Sequence, residues 1–266
     1  MKAYAKILLQ AIHSGLVNSV ISRIYVALIV TPKKIRTISY MGTPSKFFVT
    51  SSFVQWYVSN FIGISKNELN TQNFLREELR DGDVFYDVGA NIGCYVVWVA
   101  NRFRLKECVA FEPEAINFAA LSDNVRLNNG DNVICLPIAA SDSAGYVKFW
   151  TEDGESGNAS GYIEGYAVPQ DETRLFQYVR AERIESLIEA GLLSKPDVVL
   201  IDVDGGELNV LTGFGSFLEG CRAVIVEIAA ETEVEVDEIL RRHGFSLHLE
   251  KTQRRGNRIY IKTPPE

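Results

Sequence analysis

From position 84 onward the chain alternates short apolar runs with stretches in which apolar residues recur at helical spacing. This rhythm predicts strands at 84–88, 108–112, 132–137, 198–203 and 223–228, with helices between them. Near-continuous apolar runs such as Val198-Val199-Leu200-Ile201 fit strands covered on both faces, paired in parallel through crossover helices. Two further strands, at 245–249 and 258–261, are joined only by a short segment at 252–256 and are expected to pair antiparallel as a hairpin. The first 75 residues lack this alternation and are rich in aromatics, which reads as a helical cap (1–75) on a main domain at 76–266. Positions 141–196, between the third and fourth strands, form a long insertion. Hairpin strands are expected in it around 146–150 and 162–168, then a helix through 184–190. Beside the carboxyl ends of a parallel sheet, such an insertion is placed to face a substrate; a surface hairpin without function is the alternative.

Composition narrows the classes. With 266 residues, 47% of them hydrophobic, the chain can bury a full core. The formal charge of -7, from 34 acidic and 27 basic residues, offers no general attraction to nucleic acid. Cys94, Cys108, Cys135 and Cys221 are widely spaced, without metal-ligand spacing, and read as reduced core residues. Gln10, His13 and Asn18 interrupt the apolar start of the chain, and Arg23 limits the run at 24–30. A soluble, cytoplasmic protein is therefore expected, rather than one whose first thirty residues contact a membrane.

The strongest chemical signal follows the first parallel strand, in Asp87-Val88-Gly89-Ala90-Asn91-Ile92-Gly93. Gly89 and Gly93 free the backbone where the chain turns sharply into a helix. A dinucleotide fingerprint would need glycines where Asn91 and Cys94 stand, and no Gly-Lys-Ser/Thr phosphate loop follows. A loop with a strand-end carboxylate and one fewer glycine suits a ligand without a pyrophosphate, such as S-adenosylmethionine. Asp87 would meet its ammonium, and the loop amides its carboxylate. A plain strand-to-helix turn is the bland alternative. Glu112, in Phe111-Glu112-Pro113 at the end of the second strand, stands about 20 residues beyond the glycine loop, a spacing at which an acidic side chain can accept both ribose hydroxyls. After the third strand, Ser141 and Asp142 could bond an adenine amino group, or simply cap a turn. Strand alternation in Leu200-Ile201-Asp202-Val203-Asp204-Gly205-Gly206-Glu207 would send Asp202 and Asp204 to one side, with Glu207 in the first turn of the next helix. Some of that charge could serve only as a cap and complement to the helix dipole.

These motifs, in this order, resemble the FkbM-type methyltransferase family. The segment 83–93 is similar to its first motif, and Asp202-Val203-Asp204-Gly205-Gly206-Glu207 to its Asp-Val-Glu-Gly-x-Glu motif; 111–113 and 140–145 also match. Asp204 stands where the family usually has Glu, and Leu200 where it often has Lys. The resemblance implies a class I methyltransferase fold: a Rossmann-like three-layer α/β sandwich whose seven-stranded, mostly parallel sheet ends in an antiparallel hairpin strand. It also implies S-adenosylmethionine as cofactor and O-methylation of a sugar, glycan or polyketide-type hydroxyl. His13, His243 and His248 offer no evident base. Asp202 is thus expected at the cofactor and Asp204 or Glu227 at the acceptor, without a metal. The competing readings are a cofactor-binding protein without turnover and a nucleic-acid methyltransferase. The latter would call for an Asn/Asp-Pro-Pro-aromatic segment where Asp202-Val203-Asp204-Gly205 stands.

Overall fold

The computed structural model describes residues 34–51, 54, 58–59, 66–151, 156–157, 161–165, 175–228, 230–249 and 257–263. The chain divides into two units, Met1–Ile35 and Arg36–Glu266, and the second carries the elements that build the site. In chain order these are β1 (Lys34–Tyr40), β2 (Thr43–Val49), α1 (Lys66–Glu78), β3 (Val84–Val88), α2 (Cys94–Arg102), β4 (Glu107–Phe111), α3 (Ala115–Leu127) and β5 (Val133–Leu136). The insertion follows with β6 (Ile138–Ala140), β7 (Gly145–Thr151), β8 (Tyr162–Ile163), β9 (Leu175–Glu182) and α4 (Ile184–Glu189). The chain closes with β10 (Val198–Ile201), α5 (Glu207–Phe214), β11 (Ala223–Glu227), α6 (Glu233–Arg242), β12 (Phe245–Leu249) and β13 (Asn257–Lys262).

The main sheet has seven strands in the order β12-β13-β11-β10-β3-β4-β5. Six run in one direction and β13 alone is reversed, antiparallel to β11 and to β12, the second pairing being the one that the short joining segment predicts. Residues 250–256 of that joining segment lie outside the described residues. Alternate side chains of the buried strands feed two cores. Phe85, Val198 and Leu200 pack with Val96, Trp98 and Leu121 on one face; Tyr86, Val199 and Ile201 pack with Leu211, Phe214 and Leu240 on the other. This gives the expected three layers. From the central β3 the chain runs outward through β4 and β5, then returns to β3's other side as β10. Such a reversal opens a crevice at the carboxyl ends of the strands.

Two expectations need correction. The segment expected as a helical cap contains a two-stranded ribbon, β1 with β2, before α1; residues 1–33 lie outside the described residues. Met41 and Gly42 both have positive φ, 48° and 80°, the backbone that a two-residue hairpin turn requires. In β2 alternate residues Thr43, Ser45, Phe47 and Val49 are buried. Asn124 of α3 and its C-cap Asn128 hold the ribbon by side-chain bonds to its backbone: Phe48 N–H donates to Asn124 Oδ1, and Lys46 exchanges two bonds with Asn128. The second correction concerns the strand expected at 132–137. Pro137 has no N–H to give a ladder. β5 stops at Leu136, and β6 joins a separate four-stranded sheet in the order β6-β9-β7-β8. Its strand β9 is not among the expected elements, and of the strand expected around 162–168 the structure forms β8 at Tyr162–Ile163, while 166–168 lie outside the described residues.

Candidate active site

A cavity of about 280 Å³ opens at the carboxyl ends of β3, β4, β10 and β11, walled on one side by the insertion sheet. Its floor begins with Val88 and Gly89. Gly89 has φ 91°, and a Cβ there would lie 2.0 Å from the Asp202 carbonyl oxygen. Only glycine lets the first loop press against the turn after β10. That approach is fixed by the Asp202 amide, which donates to Val88 O at 2.9 Å. Gly89 and Ala90 both donate to Phe111 O, tying the same loop to β4. Asn91, left-handed at φ 51°, lines the cavity and donates its amide to Glu112 Oε2 at 2.8 Å.

Glu112 is buried in the cavity wall, and its other oxygen accepts the Glu114 amide at 2.8 Å. Burial pushes its carboxyl up to about 7, while the two amide bonds oppose the shift. Asp202, Asp204 and Glu227 also line the cavity, so the structure brings together the three carboxylates singled out for the chemistry. The alternation expected of the first two does not operate, because β10 ends at Ile201 and both stand on the turn to α5. Glu207, the first residue of α5, is only 2% exposed. Its Oε1 accepts the Gly205 amide at 3.0 Å; Oε2 has no hydrogen-bond partner among the described residues. Burial first, and then the charges of Asp204 and Glu227, push Glu207 up to about 7.

Four expected cofactor residues do not reach the lining. Asp87 is buried within β3, one position before the lining starts. Gly93, at φ 85°, is the N-cap of α2, where a Cβ would meet Leu121 Cδ1 at 2.6 Å; it packs the loop against α3. Ser141 is buried, with its carbonyl against Gly213 of α5, and Asp142 accepts a bond from Asn209 at 2.9 Å. This turn is fastened to α5, and Ala139 and Ala140 line the cavity in its place. Residues not anticipated complete the wall: Asn117, which holds the Gly157 amide at 2.7 Å, and Phe149, Thr151, Gly161 and Tyr162 of the insertion. The period-two pattern of β7 already sets Val147, Phe149 and Thr151 on one face, which was the available signal.

The Methyltransferase FkbM domain matches residues 87–247. The hexuronic acid methyltransferase AglP of Haloferax volcanii is 30% identical over 80% of this chain and 82% of its own length. The 31-O-demethyl-FK506 methyltransferase FkbM of Streptomyces tacrolimicus is 30% identical over 65% of this chain and 76% of its own. Among solved structures, a methyltransferase FkbM from Methylobacillus flagellatus aligns with a TM-score of 0.49 at 16% identity; the alignment covers 80% of this chain and 56% of that one. The chain therefore belongs to the FkbM methyltransferase family and is an S-adenosylmethionine-dependent methyltransferase.

Proposed function

We propose that the chain methylates a hydroxyl of a sugar-type acceptor, with Gly89, Asn91, Glu112 and Asp202 holding S-adenosylmethionine and Asp204 and Glu227 facing the acceptor. The observation that carries this reading is the two-sided cavity, with a glycine loop and buried carboxylates on one side and a wall of Phe149, Thr151 and Tyr162 on the other. The residues fit the cofactor. Each oxygen of Glu112 already accepts one amide and keeps lone-pair capacity for a ribose hydroxyl. The bare backbone at Gly89 leaves the loop open to close approach. Asp202 places negative charge where the cationic end would lie.

When bound, the cofactor supplies an electrophilic methyl group on a cationic sulfur. The residues of this chain hold the acceptor oxygen in line and take its proton. Glu227, at the end of β11, is the proposed proton acceptor. Burial raises Glu207 to about 7, so it carries only part of a negative charge at neutral pH. The sugar reading is supported by AglP, whose name specifies a hexuronic acid. The test is methyl transfer from labelled S-adenosylmethionine to hexuronic acid glycosides, neutral glycosides and macrolide polyols. Label on the sugars is expected; label on the macrolides alone would overturn the acceptor class.

A further inference from the structure

The insertion sheet has a second face, turned away from the cavity. Alternation along β7 sends Phe149 and Thr151 to the cavity and Tyr146, Lys148 and Trp150 to the opposite side. The antiparallel register sets these three across from Arg180, Tyr178 and Phe176 of β9. Large apolar side chains that remain in solvent are concentrated here: Tyr146 is 74% exposed, Tyr178 68% and Phe176 50%. The rings form a connected row. Trp150 and Phe176 lie 5.4 Å apart, and Phe176 meets Tyr178 edge-on at 5.9 Å. The Lys148 ammonium sits 4.0 Å from the Trp150 ring and 4.4 Å from Phe176, and Arg180 lies over Tyr146.

A patch of this kind marks a binding surface. Its charges decide what it binds. Lys148 pairs with Glu164 at 3.5 Å and Arg180 with Glu182 at 2.6 Å, so among the described residues the face has two cations and two carboxylates and no net charge with which to hold an anionic lipid surface. Flat rings interleaved with paired donors and acceptors suit a chain of sugars, whose C–H faces stack on aromatic rings while their hydroxyls bond to the charged groups between. The row runs along the strand toward Thr151, on the face opposite that residue's cavity-lining side. From 146 to 150 it extends ~13 Å, enough to hold more than one sugar ring.

Resting on the reading of the cavity as a sugar-methylating site, we infer that the outer face of β7 and β9 is a second glycan-binding surface, which holds sugars of the acceptor chain remote from the methylated residue. The test compares the wild-type chain with the double variant Tyr146→Ser/Tyr178→Ser, whose exposed positions should leave the thermal midpoint unchanged. Each is titrated calorimetrically with galacturonic acid and its linear tetramer, and with galactose and a linear galactose tetramer. Transfer of labelled methyl is followed in parallel. Wild type should bind at least one tetramer tenfold or more tighter than its monomer, and the variant should lose that gain while monomer binding stays within twofold. The inference is overturned if neither series depends on length, or if the variant keeps the gain. It is equally overturned if the substitutions change only binding to phosphatidylglycerol vesicles or only self-association. Length-dependent binding through these residues with no label on any sugar would sink the acceptor reading and leave the second surface standing. Label on the monomer without any length dependence would do the reverse.

Discussion

The two ends of the parallel sheet handle their carboxylates in opposite ways. At the amino end, Arg222 reaches Glu78 at 3.0 Å, Asp83 at 2.7 Å and Asp197 at 3.1 Å. Asp83 also accepts the Arg80 amide, and Asp197 the Val84 amide, so this cluster locks the starts of β3, β10 and β11 together. At the carboxyl end, Glu112, Glu207 and Glu227 form no ion pair among the described residues, and burial raises the first two. The amino end is satisfied in the folded chain alone; at the carboxyl end burial disfavours the charged forms of Glu112 and Glu207, and a cationic ligand would favour them. Stability is concentrated at one end, and at the other it is given up for function.

The comparison can be broken at four points. Glu227→Gln should lower kcat by roughly 10²- to 10⁴-fold, the usual worth of a positioned proton acceptor, with the thermal midpoint unchanged. A midpoint that falls with activity would move Glu227 to the structural end of the contrast. Arg222→Ala should destabilise the fold by about 2 to 3 kcal/mol in urea titrations, because three carboxylates lose their shared cation. S-adenosylmethionine affinity should hold at denaturant-free conditions, and a selective loss of affinity would erase the division. Glu112→Ala should weaken cofactor binding by about 1 to 3 kcal/mol. In the wild type that affinity should rise with pH through about 7, where Glu112 ionises and both oxygens become free to accept. Calorimetry showing pH-independent affinity would contradict the ribose assignment. Glu207→Gln is the smallest change. A carboxyl raised from 4.5 to about 7 on folding contributes stability that is complete below pH 4.5 and lost as pH rises through about 7. Gln keeps the neutral form, so the variant should gain on the order of 1 kcal/mol at pH 8 and nothing at pH 4. Equal stability at both pH values would show that Glu207 is not the proton carrier.

The sheet is legible in the sequence wherever a segment's own pattern decides its fate. Val198–Ile201 and the first four residues of β11, 223–226, are apolar throughout because both faces are covered, and no other environment would tolerate them. Gly89 and Glu112 are legible for a similar reason, since a turn and a strand end fix where they lie. What stays hidden depends on distant partners. The β1–β2 ribbon is held by asparagines of α3 and its C-cap, far along the chain, and Met41-Gly42 is not a dipeptide that announces a hairpin. Ser141 and Asp142 resemble adenine ligands in isolation, and only the approach of α5, with Gly213 and Asn209, engages them elsewhere. The cavity wall from Phe149 to Tyr162 could not be placed without knowing that Pro137 diverts the chain into a second sheet.

The pressing of Gly89 against the Asp202 carbonyl also bears on how such enzymes diversify. Neither loop can change shape without the other, so a substitution that reshapes one must be matched by a change in the other. Phe149, Thr151 and Tyr162 belong to a different sheet and do not share that restraint. Under the proposed reading, a lineage can exchange one acceptor for another by altering the insertion alone, and inherit its methyl donor unchanged.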